Sequence, residues 1–396
     1  MRIGMILDKT FPPDPRVANE AISLIGKGHK VFLFCLKYND EPSQEIIQGI
    51  EVRRYKSTKF IYKTSALVYT IPIYSNVLVK KISHFLVENK IEIVHIHDIQ
   101  IAEAAFNASE KLGLKTVLDL HENRPEIMKF YPHLQKFPGK FMISSARWKK
   151  KEEEFIRKSD AVVVVTEEAK NEIIKRVGKA AEVLVAVPNT VHKSYYKEAI
   201  LNNEIIEKYK NNFVLLYVGD TGIRRGLQTA IESIATLKDK IPTIKLVIVG
   251  SNSSDIFLKQ LVADLQIENY VDFEGWQNEN LFPSYITASA ICISPLHRNL
   301  HHDTTYANKI FQYMSFGKPL LVSDATSQKN IIERANAGLV HKAEDIVDFT
   351  EKTLELFHVE VLQTNFGENG KNFIENEFNW EKTSEKLIEL YTNFSK

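Results

Sequence analysis

Four stretches of this 396-residue chain gather residue types that can handle charge and protons. In "HHDTTYANKIFQYMSFGKP", residues 301–319, a run of histidine, aspartate and threonine passes into an amphipathic segment headed by Asn308 and Lys309 and closed by Gly317. A helix starting there presents unpaired amides and a partial positive charge, and Lys309 adds a full one, which makes a ready site for a diphosphate. At an arbitrary helix the plainer reading is a cap and a solvated lysine. "GDTGIRRG", residues 219–226, offers a second anion site, with glycines for close backbone approach and the guanidinium forks of Arg224 and Arg225. "HIHD" and "DLHE" put His97, Asp98, His121 and Glu122 at the ends of two strand-like runs, where imidazole and carboxylate can hold or move a proton. His95 and His97 with His301, His302 and Asp303 have the types of a metal site. They fall in opposite halves of the chain without dense zinc-like spacing, so no metal is expected.

The elements that must position these residues are legible as alternating patterns. "RIGMIL", "KVFLFCL", "IEIVHIHD", "KTVLDLHE" and "DAVVVVTE" are continuous apolar runs separated by amphipathic stretches, as in a parallel sheet covered by helices on both faces. A helix is expected from Val17 to "GKGHKV", with Gly26 and Gly28 supplying left-handed turn conformations. The polar segment 188–212 reads as a linker. The same grammar then repeats in "FVLLYVG", a helix over 226–237, "IKLVIVG", a helix near 257–265, "VDFEG", "AICISPL" and "PLLVSD". Ligands of open parallel sheets bind beyond the carboxyl ends of the strands, where the polar residues concentrate.

Composition sets the class. With 44% hydrophobic and 26% charged residues the chain is globular with full cores, and 51 basic against 50 acidic residues give a net charge of +1, which favours no nucleic-acid partner. Cys35 and Cys292 lie far apart in apolar runs and read as buried thiols of a reducing, cytoplasmic compartment. The N-terminal run is broken early by Asp8, and "SALVYTIPIYSNVLVKKI" is interrupted by Pro72, Ser75 and Asn76, so neither a secretory signal nor a spanning helix is expected. Residues 53–63 and 130–151 mix aromatics with basic residues, which suits contact with the inner face of an anionic membrane as well as ordinary packing.

Taken in order, "DPRVANEAISLIGKGHKV", "VPNTV", "LLYVGDTGIRRGL", "ANKIFQYMSFGKPLLVSD" and "FNWEKTSEKLIELY" resemble the GT-B nucleotide-sugar glycosyltransferases, most closely glycosyltransferase family 4, over nearly the whole chain. The resemblance implies an α/β fold of two facing Rossmann-like domains with parallel sheets: an acceptor-binding domain over 1–190, a donor domain over 191–375, and a C-terminal helix over 376–396 crossing back to the first domain.

It further implies a metal-independent enzyme with no cofactor, using a UDP- or GDP-sugar as co-substrate and a carbohydrate or lipid-linked saccharide as acceptor, in surface polysaccharide assembly. Gly222, Arg224, Arg225, Asn308 and Lys309 would hold the donor diphosphate, and Asp303, Thr304, Thr305, Tyr306 and Gln312 the donor sugar and ribose. The family's usual Glu pair is replaced here by Thr304 and Gln312, and a usual basic residue by Asp220. His121 matches a family histidine near the reacting carbon. An inverting course would need a base for the acceptor hydroxyl, with Glu122, Asp98 and Asp14 as candidates. Asp14, Arg16 and Arg124 are expected on the acceptor side. A GT-B protein that binds nucleotide sugar without catalysis and a GT-B epimerase are the alternatives.

Overall fold

The computed structural model describes residues 1–131, 134, 136–137 and 139–395. They form two compact units, one of Met1–Pro188 with Ser384–Lys396 and one of Asn189–Thr383.

The first unit is built on strands β1 (Arg2–Ile6), β2 (Lys30–Lys37), β3 (Gln44–Ile47), β4 (Ile50–Lys56), β5 (Ile93–His97), β6 (Lys115–Leu120), β7 (Ala161–Val164) and β8 (Leu184–Ala186). Their order is β3-β4-β2-β1-β5-β6-β7-β8, parallel except for the β3–β4 hairpin. That hairpin is absent from the sequence reading, because "QEIIQGIEV" alternates apolar and charged residues too weakly to stand out. Gln48 and Gly49 turn it with φ of 51° and 85°. The central strands are buried on both faces, which is why they read as unbroken apolar runs.

The first helix runs over Pro15–Ile25. Proline fixes its first turn, and the Asp14 carboxylate accepts the Val17 amide at 3.2 Å. Only one of the two expected left-handed glycines is one: Gly28 sits at φ 84°, while Gly26 is right-handed at φ −59°. The helix Glu385–Phe394 belongs to this unit, where Leu387 and Tyr391 are fully buried.

The second unit has β9 (Phe213–Val218), β10 (Ile244–Val249), β11 (Val271–Gly275), β12 (Ile291–Ser294), β13 (Leu320–Ser323) and β14 (Gly338–His341), all parallel, in the order β11-β10-β9-β12-β13-β14. This is a Rossmann order, whose switch point lies between β9 and β12. The expected linker is no linker. The units divide at Pro188/Asn189, and the polar segment after it carries helices Lys193–Lys197 and Asn203–Tyr209, anchored by the buried Tyr209 hydroxyl on Glu274 at 2.8 Å. Residues 376–383 also stay with the second unit, where the Trp380 amide donates to the Val191 carbonyl. Cys35 and Cys292 are free and buried. Among the described residues no helix is long and apolar enough to cross a membrane.

Candidate functional site

In the first unit, the first helix, β5 and β6 carry a buried ion-pair cluster centred on Asp119, which lies inside β6 at 0% exposure. Its Oδ1 accepts from Arg16 Nη2 at 2.7 Å and its Oδ2 from Arg16 Nε at 3.1 Å. Arg16 also reaches the Val187 carbonyl at 3.0 Å and Glu20 Oε1 at 2.9 Å. Arg16, expected on the acceptor side, is 4% exposed and its fork is spent on the cluster.

His121 Nε2 lies 2.8 Å from Asp119 Oδ2, and its Nδ1 lies 3.6 Å from Asp98 Oδ2. Asp98, left-handed at φ 67°, also accepts the His121 amide at 3.3 Å. Burial disfavours the His121 cation, but the carboxylates of Asp98 and Asp119 outweigh it and raise the imidazole to about 9. Arg16 and His121 overcome burial in the other direction and hold Asp119 well below the usual carboxylate range.

Glu20, His95, His97 and Asp119 bring ligand-type atoms within 4.8 Å of one another, a grouping that no sequence spacing announces. The cation among them is the Arg16 guanidinium, in contact with both carboxylates.

The remaining first-unit candidates have local partners. Glu122 accepts from Arg124 Nη1 at 2.8 Å, and Arg124 Nη2 reaches Gln100 at 3.2 Å. Asp14 is a helix cap. Asp8, just past β1, is absent from the sequence-derived set. It is 2% exposed and takes the Tyr74 hydroxyl at 3.3 Å. Burial raises its carboxyl to about 6, with Lys9 opposing and nearby Asp98 adding to the rise. A polar residue closing the first buried strand was its only signal.

In the second unit the loop after β9 wraps a sheltered lysine. Lys309 Nζ stands 3.4 Å from the centroid of the Tyr217 ring and has no hydrogen-bond partner among the described residues. Burial, and then the nearby charge of Arg225, push this amine well below its ordinary value. Arg225 Nε is held by Asp220 Oδ2 at 3.1 Å, and Asp220 also accepts from Asn252 and, at 3.3 Å, from the Gly222 amide. Asp220 therefore pins the loop and its arginine. Gly226 does not serve ligand approach: at φ 73°, a Cβ there would lie 1.7 Å from the Pro295 carbonyl oxygen.

The polar run ahead of Lys309 is a helical turn over Leu300–Thr304, not an open loop. His301 and His302 are buried, and burial lowers them to about 2 and about 4. His302 Nδ1 lies 2.7 Å from the His297 carbonyl, so that nitrogen donates and Nε2 accepts from Arg224 at 3.1 Å. Asp303 Oδ1 accepts both the amide and hydroxyl of Thr326, at 2.7 and 2.9 Å, and so caps the helix Thr326–Ala335. Thr304 and Thr305 donate to the carbonyls of Leu300 and His301, and Tyr306 packs edge-on against Phe311. Asn308 is exposed and makes no side-chain cap, and the following helix, Lys309–Ser315, is short. Gln312 is half-buried on that helix.

The family model "Glycosyltransferase Family 4" matches residues 16–195, and "Glycosyl transferases group 1" matches residues 200–373. The chain is a GT-B glycosyltransferase resembling family 4. This glycosyltransferase is 26% identical over 208 residues to the capsular polysaccharide biosynthesis glycosyltransferase CapM of Staphylococcus aureus, covering 49% of this chain and 51% of that one, about half the length of each. It is 21% identical to the N-acetyl-alpha-D-glucosaminyl L-malate synthase of Bacillus anthracis, over 82% of this chain and 79% of that enzyme. Anabaena HepE, solved with UDP-glucose, shares its fold with a TM-score of 0.74 at 14% identity, over 99% of this chain and 100% of that one.

The two basic, aromatic stretches of the glycosyltransferase are less exposed than their composition suggests. Arg54 is 7% exposed and donates to the Phe11 and Pro42 carbonyls, and Trp148 is 3% exposed, edge-on to Tyr69. Phe60 and Phe137 do face solvent. Pro132, His133, Gln135 and Pro138 of the second stretch lie outside the described residues.

Proposed function

We propose that this glycosyltransferase moves a sugar from a UDP-sugar to a saccharide or lipid-linked saccharide acceptor in surface polysaccharide assembly. The observation that carries the reading is Lys309: a sheltered ammonium with no hydrogen-bond partner among the described residues, close to Arg225, in the loop beyond β9. A buried cation without a counter-ion is costly, and a diphosphate supplies the missing charge. As the sugar leaves, Lys309 and Arg225 stabilise the growing charge on the diphosphate without need of a resident metal. UDP is favoured over GDP because HepE is solved with UDP-glucose, and CapM supports a polysaccharide product. The second unit is assigned the donor, with Gly222, Arg224, Asn308 and Gln312 near it. The first is assigned the acceptor, with His121, Asp98, Glu122 and Arg124 at its strand ends. Exposed Phe60 and Phe137 support contact of the first unit with an anionic membrane, which flotation with anionic vesicles tests.

A thermal-shift panel of UDP, GDP, ADP, CMP and dTDP tests the donor. A nucleotide at 100 times its Kd stabilises by about 2.7 kcal/mol, and protection by UDP alone is the expected result. Transfer that appears only with acceptor present separates a transferase from an epimerase, and binding without product identifies an inactive protein.

A further inference from the structure

Asp119 Oδ2 is faced by three nitrogens: His121 Nε2 at 2.8 Å, Arg16 Nε at 3.1 Å and His97 Nδ1 at 3.2 Å. An ionised carboxylate only accepts, so His121 Nε2, the nearest, carries a hydrogen, as does Arg16 Nε; His97 Nδ1 lies 3.1 Å from that same His121 Nε2 and can pair with it or with the carboxylate. His97 is fully buried and its Nε2 has no hydrogen-bond partner among the described residues, which fits a neutral ring; burial, with His95 nearby, lowers its pKa. His121 differs, because its second nitrogen also faces a carboxylate, that of Asp98. The groups around it are Arg16 and Glu20 from the first helix, His95, His97 and Asp98 from β5 and its end, and Asp119 from β6.

On the far side, Tyr391 of the helix Glu385–Phe394 puts its hydroxyl 2.7 Å from His95 Nδ1, and the two rings lie 8° from parallel. That contact turns His95 Nε2 toward Glu20 Oε2 at 3.3 Å and Asp119 Oδ2 at 3.7 Å.

We propose that Asp119, clamped by Arg16, holds His121 as a doubly protonated imidazolium, which serves sugar transfer as a fixed cation and hydrogen-bond donor and not as a base, with Tyr391 the outermost residue positioning it. The inference rests on the proposed function only for what the cation serves. The pKa raised to about 9 agrees with the geometry. His121 Nδ1 is 3.6 Å from Asp98, beyond hydrogen-bond distance, and the side chain is 14% exposed, so this N–H is the one open to a saccharide oxygen. Asp119 and Arg16 are positioning residues.

The test is long-range proton–nitrogen NMR of the full chain labelled with nitrogen-15 histidine, from about pH 6 to about pH 10, with His121→Gln identifying the signals. His121 is expected to carry both protons at about pH 7 and to lose one near 9; a neutral ring at about pH 7 overturns the proposal. In Tyr391→Phe the loss moves to lower pH, the alkaline limb of kcat moves with it, and donor KM stays the same. An unchanged titration in that variant removes Tyr391 from the positioning set. Should Tyr391→Phe not fold, Arg16→Lys, which keeps the charge and loses the fork, is read the same way. Absence of transfer with every donor overturns the proposed function instead, and the NMR titration still decides the state of His121.

Discussion

The Lys309 ammonium lies 3.4 Å from the centre of the Tyr217 ring, whose hydroxyl donates to the Asp220 carbonyl at 2.6 Å. An aromatic face shelters the cation without neutralising it. Lys309→Met keeps the bulk and removes the charge, so it is expected to raise stability by about 1 kcal/mol, or about 2–4 °C in Tm. Protection by UDP should vanish and kcat/KM should fall by roughly 100-fold or more. Undiminished protection by UDP would show that another group holds the diphosphate.

Asp303 offers a contrast between cap and ligand contact. Its carboxylate satisfies two donors of Thr326. Asp303→Ala is therefore expected to cost about 1–2 kcal/mol in chemical denaturation while donor KM changes less than about threefold. A large rise in KM with unchanged stability would restore the sugar-binding role that the sequence suggests.

Gly226 is fixed by sterics. Gly226→Ala adds a Cβ at φ 73° that meets the Pro295 oxygen at 1.7 Å, so the loop after β9 must shift. A loss of about 3 kcal/mol or more is expected in urea unfolding, together with weaker nucleotide protection. Wild-type stability would mean that the Pro295 segment yields freely.

The pH dependence of stability follows from His121. Its pKa is raised from 6.5 to about 9 on folding, so its contribution is fully present below about 6.5 and is lost as pH climbs through 9. The loss is at most about 3.5 kcal/mol, at about 1.4 kcal/mol per pH unit. Denaturation series over this range should show the decline in the wild-type protein and a flatter curve in His121→Gln; parallel curves would place the alkaline loss elsewhere.

The parallel strands were legible because burial on both faces leaves little but β-branched and aromatic residues, as in "DAVVVV". The family phrases carried the order of the two units. What escaped was chemistry that depends on pairs remote in sequence. Asp119 in "VLDL" looks like a polar blemish in a strand until Arg16, more than a hundred residues earlier, closes on it. Asp303 and the threonines beside it are expected at the donor sugar from their place in the family pattern; the same residue types suit helix caps, and local spacing cannot separate the two uses. Arg54 shows the converse, a residue of a basic run that folds inward onto carbonyls.

The first unit is discontinuous in sequence, since the buried Leu387 and Tyr391 belong to it together with Met1–Pro188. During synthesis the second unit, an unbroken stretch from Asn189 to Thr383, has all its residues in hand before the helix Glu385–Phe394 emerges. The earlier-made half must therefore wait, with His95 lacking its tyrosine, while the later-made half can close first. An excised first unit would need residues 384–396 spliced on, for example by a loop after Pro188, before the His121 cluster could be studied alone.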